Sequence, residues 1–86
     1  IPRNRSGIGF TKNGPEAIDV VGVRPNSAAS ALGIVAGDQI LAVNDIAARD
    51  LSAADFVAIV TGRAGTALRL TVRHGTTTHE LELVLR

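Results

Sequence analysis

The residues with the most chemical potential in this 86-residue chain are Gly7-Ile8-Gly9-Phe10. Two glycines one residue apart allow backbone conformations that a Cβ forbids and let the main chain come close to a ligand. Successive amides in such a tight loop converge as donors and form a nest for an anion. The expected donors are the amides of Ile8, Gly9 and Phe10, with Arg3 and Arg5 just upstream as cationic neighbours. Ser6 stands beside the loop, but no general base accompanies it in the pattern. Gly-x-Ser-x-Gly, Asp-Thr/Ser-Gly, His-Glu-x-x-His and P-loop motifs are all missing. His74 and His79 flank a hairpin and are expected to face solvent, too few by themselves to hold a metal. With no cysteine there is no thiol nucleophile and no zinc-thiolate site. No catalytic residue, metal or cofactor is therefore expected.

Charge narrows the partners. The net charge is +1, with nine basic and eight acidic residues interspersed, so nucleic acid and anionic membrane are not indicated. Eight of the nine basic residues are arginines, yet Arg24, Arg49, Arg63, Arg69 and Arg73 form no run. The stacking aromatics that RNA recognition uses are reduced to Phe10 and Phe56. No apolar stretch reaches the roughly 18 residues of a membrane span, so direct membrane insertion is not expected.

The elements that must hold the loop follow from periodicity. Residues 1–6 read as a polar leading loop, and Ile8 to Lys12 as a short strand. Asn13-Gly14-Pro15 is a turn signal, and Ala17 to Val23 a strand with Ile18, Val20 and Val23 inward. Ser27 is a good N-cap for a short helix through Leu32, with Gly33 just past its end. Gln39 to Val43 forms the next strand, and Asn44-Asp45 turns the chain. Ser52-x-x-Asp55 matches a capping box for a helix to about Thr61, with Gly62 after it. Two strands finish the chain: Leu68, Leu70 and Val72 alternate with Arg69, Thr71 and Arg73, Leu81, Leu83 and Leu85 alternate with Glu82 and Val84, and His74-Gly75 with the threonines supplies the hairpin. The expected fold is one domain over residues 1–86, mainly β with two α-helices, an antiparallel and partly open barrel or sandwich of five to six strands.

Four segments together resemble a PDZ domain. Gly7-Ile8-Gly9-Phe10 is similar to that family's Gly-Leu-Gly-Phe carboxylate-binding loop. Pro25-Asn26-Ser27-Ala28-Ala29 through Gly33-Ile34 resembles its Pro-Gly-Ser-Pro-Ala…Ala-Gly-Leu stretch. Gly37-Asp38-Gln39-Ile40-Leu41-Ala42-Val43-Asn44 resembles its Gly-Asp-x-Ile-Leu-x-Val-Asn strand, the most specific of the four, and Leu51 to Gly65 resembles its groove helix and following turn. The bacterial, protease-associated members look closest, because the chain starts near the glycine loop and closes on a strand, Thr78 to Leu85, in the place of the first strand of animal members. The Gly-Arg-Ala-Gly-Thr turn and the closing Glu-Leu-Glu-Leu-Val-Leu-Arg look most like PDZ domains of C-terminal processing peptidases or of retropepsin-like aspartic proteases. The chain is thus expected to be a fragment of a larger bacterial protease of the periplasm or cell envelope.

The resemblance implies a groove that captures the C-terminus of an extended peptide by strand addition. The carboxylate would rest on Gly7, Ile8, Gly9 and Phe10, with Arg3 in the position of the family's upstream basic residue. The peptide would run along Phe10, Thr11 and Lys12, facing Ala53, Val57 and Val60 on the second helix, which share one edge at i, i+4 and i+7. Ile8, Phe10, Val57 and Val60 would form an uncharged pocket for an apolar terminal side chain. Ala53 stands where a His would favour Ser or Thr, so an apolar residue is expected there too. Lys12, Leu32 and Asp45 depart from the family's pattern. The catalytic domain of the parent protease is a further expected partner. The alternative is a docking or assembly module whose groove is unused or blocked from within.

Overall fold

The computed structural model describes residues 3–86; residues 1 and 2 of the leading loop lie outside the described residues. Six strands and two helices follow one another: β1 (Ile8–Thr11), β2 (Ile18–Val23), α1 (Ala28–Ala31), β3 (Gln39–Val43), β4 (Ile46–Ala47), α2 (Ala53–Val60), β5 (Ala67–His74) and β6 (Thr77–Val84). A single 3₁₀ turn, Ala48–Asp50, precedes α2. All pairings are antiparallel, and the sheet runs in the order β1-β2-β3-β5-β6, with β4 paired to β3 beside that path. This is the mainly β, open antiparallel architecture that the sequence indicates.

The alternation in sequence becomes the inside and outside of the sheet. Ile18, Val20, Ile40 and Val43 bury one face, and Leu68, Leu70, Val72 and Leu83 continue it, while Arg69, Glu82 and Val84 turn outward. Phe56 is completely buried and is the largest side chain in this core. The sheet stays open, but the chain after β6 curls back to the loop before β1. The Arg86 N–H donates to the Arg5 carbonyl at 3.1 Å, and the Arg5 N–H donates to the Val60 carbonyl at the end of α2 at 2.8 Å.

Both helix starts form as their sequences dictate. Ser27 accepts from the Ser30 N–H and Ser30 returns the bond to the Ser27 N–H; Ser52 and Asp55 do the same for α2. The Asn44-Asp45 turn joins β3 to β4 with φ of 50° and 66°, the two-residue hairpin loop that demands positive φ at both positions. Asp45 therefore does what Gly does at that place in the family, using a residue type that tolerates the left-handed region. Leu32 is 36% exposed, so its size displaces nothing in the core. β4 is the element that the periodicity did not indicate, because two residues are too few to show alternation.

Candidate functional site

β1 is an end strand of the sheet, paired on one side only, to β2. The Arg24 N–H donates to the Gly7 carbonyl at 2.8 Å across the Ile8–Val23 pair. In an antiparallel ladder such a pair turns its own N–H and C=O away from the partner strand. Ile8 thus presents its main-chain groups to the open edge, as Phe10 does two residues on, while Gly9 presents its amide to β2. The register slips between Gly9 and Phe10, where β2 has Val21 as an extra residue, and that valine is exposed.

Opposite this edge lies α2, tied to the β1 segment at three levels. Near its C-terminal end, the Arg5 N–H reaches the Val60 carbonyl. In the middle, the Phe10 ring meets Phe56 edge to face, with centroids 4.6 Å apart and planes at 76°. At its N-terminal end, the Lys12 ammonium donates to the carbonyls of Ala48 and Leu51, which lead into the Ser52 cap. Lys12 also lowers the Asp55 carboxyl below the ordinary carboxylate range, after the larger effects of the Ser52 backbone and side-chain hydrogen bonds to it. These ties hold α2 alongside the β1 segment.

The structure distributes the residues of the expected groove between its floor and its rim. Ile8 and Val60 are each only 1% exposed, so both belong to the core beneath it. Phe10, Thr11 and Lys12 are half-buried along one rim. Ala53 and Val57 are exposed on α2, Val57 at 47%. Phe56 and Ile59 turn to the core, as the helical spacing indicates. Floor and pocket are thus continuous, and an apolar side chain entering here would press on Phe10 and Val57, the two apolar members that are not buried.

The glycine loop is stapled from within by residues that the sequence pattern did not single out. The Asn4 carboxamide oxygen accepts from the Ser6 N–H at 2.9 Å, the Gly7 N–H at 3.2 Å and the Ser6 hydroxyl at 2.6 Å. Its amide nitrogen donates to the Ile8 carbonyl at 2.7 Å, and the Ser6 hydroxyl accepts from the Ile8 N–H at 3.1 Å. Asn4 hence holds the Ser6 and Gly7 amides, and the Ser6 hydroxyl holds the amide of Ile8, one of the expected carboxylate donors. Local side-chain bonding of Asn and Ser to nearby main chain could have been read from the Asn4-x-Ser6-Gly7 order. Ser6 is fully buried in this network.

Gly7 and Gly9 have different reasons to be glycine. Gly7 has φ of +81°, and a Cβ there would lie 2.2 Å from the Ser27 side chain. Gly9 carries no such strain, and a Cβ would meet the Gly22 and Val21 atoms at 3.5 Å or more. Arg3 lines a cavity with Arg5, Arg24 and Arg86 behind the loop. His74, exposed as expected, holds the buried Asp38 carboxylate through its Nδ1 at 2.5 Å, and Asp38 in turn accepts from the Val35 N–H.

Comparison with known proteins decides the family. Residues 20–74, well over half the chain, match the family model described as PDZ domain. The chain is a PDZ domain. Among curated proteins, this PDZ domain is 36% identical over 75 residues to regulator of G-protein signaling 12 of Rattus norvegicus, covering 87% of the chain and 5% of that protein. The protein of the same name from Homo sapiens is also 36% identical over 75 residues, at 87% and 5% coverage. The chain thus spans about a twentieth of the curated relatives it matches. Among solved structures, it superposes on a serine endoprotease from Yersinia pestis with a TM-score of 0.77 and 27% identity, covering 96% of this chain and 28% of that one. A photosystem II D1 C-terminal processing protease gives 0.84 at 24% identity, with coverages of 96% and 23%. The PDZ domain of a carboxy-terminal protease from Vibrio cholerae, solved in complex with peptide, gives 0.73 at 16%, with coverages of 91% and 88%. The last two likenesses are of fold. The solved neighbours are thus proteases or a protease's PDZ domain, whereas the curated relatives are mammalian regulators of G-protein signaling.

Proposed function

We propose that this PDZ domain binds the C-terminal end of an extended peptide by strand addition to β1, without catalysis of its own. The observation that carries the reading is the position of β1: an end strand whose Ile8 main-chain groups turn away from β2, with α2 packed against it through the Phe10–Phe56 contact. An unpaired strand edge supplies hydrogen bonds to any extended chain, and the wall opposite supplies selectivity. The carboxylate would enter at Gly7-Ile8-Gly9-Phe10, taking the outward amides of Ile8 and Phe10 as the Ser6 hydroxyl gives up the Ile8 N–H, with Arg3 as a cationic neighbour. The chain would run along Thr11 and Lys12, with Ala53, Val57 and Val60 opposite. The uncharged pocket of Ile8, Phe10, Val57 and Val60 favours an apolar terminal residue. The solved peptide complex of the Vibrio cholerae PDZ domain, of the same fold, supports the peptide as ligand.

The protease neighbours support a parent protein that is itself a bacterial envelope protease, in which this domain docks substrate or regulates a catalytic domain. A second reading, a module with a blocked groove, is favoured by the bonds Ile8 already makes to Ser6 and Asn4 and by the burial of the pocket floor. Titration of the domain with peptides ending in Val, Leu or Ala, followed by amide chemical shifts, separates the two. Saturable shifts along residues 8–12 and 53–60, weakened in Gly9→Asp with the fold intact, are expected at affinities on the order of micromolar. Shifts confined to other surfaces, or a Gly9→Asp variant with unchanged affinity, would favour the blocked module.

A further inference from the structure

The arginines that look scattered in sequence are not scattered in space. Arg3, Arg5, Arg24 and Arg86 line one cavity of about 160 Å³ beside the loop, with Asn4, Gly7, Asn26, Ser27 and Ala28 completing its wall. None of the eight acidic residues lines it. The ion pairs among the described residues, Arg49 with Glu16, Arg69 with Asp45 and His74 with Asp38, all lie elsewhere. Two of the four guanidinium groups are held at the wall by main-chain oxygens: Arg5 donates to the Arg86 oxygen, which is a carboxylate oxygen in the free 86-residue domain, at 3.4 Å, and Arg86 to the Asn26 oxygen at 3.5 Å. Each keeps further N–H groups of its fork for another acceptor.

Four cations around one concavity repel one another and raise the local positive potential, an arrangement that an anion relieves. We propose that this cavity is a second anion site, adjoining the carboxylate loop through Arg3 and Gly7 but built mainly from Arg5, Arg24 and Arg86, for a small phosphate-type oxyanion. Size and charge both point that way. A ligand of drug size needs roughly 300 Å³ or more, which this cavity lacks. A single phosphate monoester carries about −1.5 to −2 charges at neutral pH and three acceptor oxygens, matching several guanidinium forks where a carboxylate would satisfy one. The same recognition serves a free phosphate and one carried on a phosphorylated side chain.

The test is a titration of the 86-residue domain, amidated at Arg86 so that no α-carboxylate stands in the cavity, with inorganic phosphate at ionic strength held constant with chloride, read from amide and arginine Nε resonances. Saturable shifts at Gly7, Arg24, Asn26 and Arg86 are expected, with acetate binding at least tenfold more weakly. Arg24→Gln and Arg86→Gln should each weaken phosphate by about tenfold, the size of one charge-assisted hydrogen bond. Neither residue belongs to the groove, so binding of an apolar C-terminal peptide should stay within about twofold in both variants. A phosphoserine peptide run in parallel distinguishes the sources: tighter binding than inorganic phosphate assigns the group to a side chain, equal or weaker binding to the free ion. Shifts that chloride reproduces, acetate binding as tight as phosphate, or phosphate affinity unchanged in both variants would overturn the site.

Discussion

On the β1 side of the groove, order comes from polar groups at short range. Asn4 and Ser6 use their side chains to saturate the main chain of residues 6–8, and Gly7 folds left-handed against Ser27. On the α2 side, order comes from one buried ring and a capped N-terminus: Phe56 is sealed in the core and Ser52 and Asp55 close the capping box, while Ala53 and Val57 remain exposed. The difference separates two tasks. A wall built of fixed amides can recognise a carboxylate, whose geometry is invariant, and a wall of small exposed aliphatic side chains can adapt to whichever residue precedes it. Changes on the first wall should act on stability and binding together, whereas on the second wall they should separate by position.

The sharpest form of that separation lies in two adjacent residues of α2. Phe56→Ala should cost about 3–5 kcal/mol by denaturant unfolding, the usual range for emptying a buried aromatic site. Val57→Ala should change stability by less than about 0.5 kcal/mol while weakening an apolar C-terminal peptide several-fold. Equal stability losses at both positions would erase the distinction between core and groove edge. On the other wall, Gly7→Ala should cost about 2–4 kcal/mol, combining left-handed strain with the collision at Ser27. Gly9→Ala should stay within about 1 kcal/mol, since its surroundings accommodate a methyl group.

Smaller effects test the ends of the groove. Ser52→Ala should lose about 1 kcal/mol as the N-cap is removed. The Asp55 pKa is depressed in the folded state, first by the Ser52 backbone bond, so its stabilisation is present above the unfolded-state value and is lost as pH falls through the folded one. Asp55→Asn should flatten the acid limb of the stability curve below about pH 4 and leave its shape near neutrality unchanged. Lys12→Met should release the bridge to Ala48 and Leu51 and favour longer ligands: a hexapeptide should gain roughly fivefold in affinity, about the worth of one hydrogen bond, with a tripeptide unchanged.

Much of this organisation was legible in the sequence because it is periodic or punctuated. Alternation placed Leu83 and Leu85 inside and Val84 outside, the Ser52-x-x-Asp55 order placed the start of α2, and Asn44-Asp45 placed a turn. The ties that shape the groove were not legible. Lys12 reaches carbonyls 36 and 39 residues away, and four arginines spread from residue 3 to residue 86 meet at one cavity. Such convergence is a property of the sheet's curl, which no local pattern encodes. The pocket floor was legible in its residues but not in its depth: Ile8 and Val60 are apolar at the expected places, and the fold decides that they are core.

The central claim is that the loop Gly7-Ile8-Gly9-Phe10 reads a terminal carboxylate while β1 accepts the chain behind it. Calorimetric titration of the domain with one apolar-ended peptide in two forms, free acid and C-terminal amide, tests it most directly. Micromolar binding of the acid and a loss of at least tenfold on amidation are expected; equal affinity of the two forms would contradict carboxylate recognition by the loop.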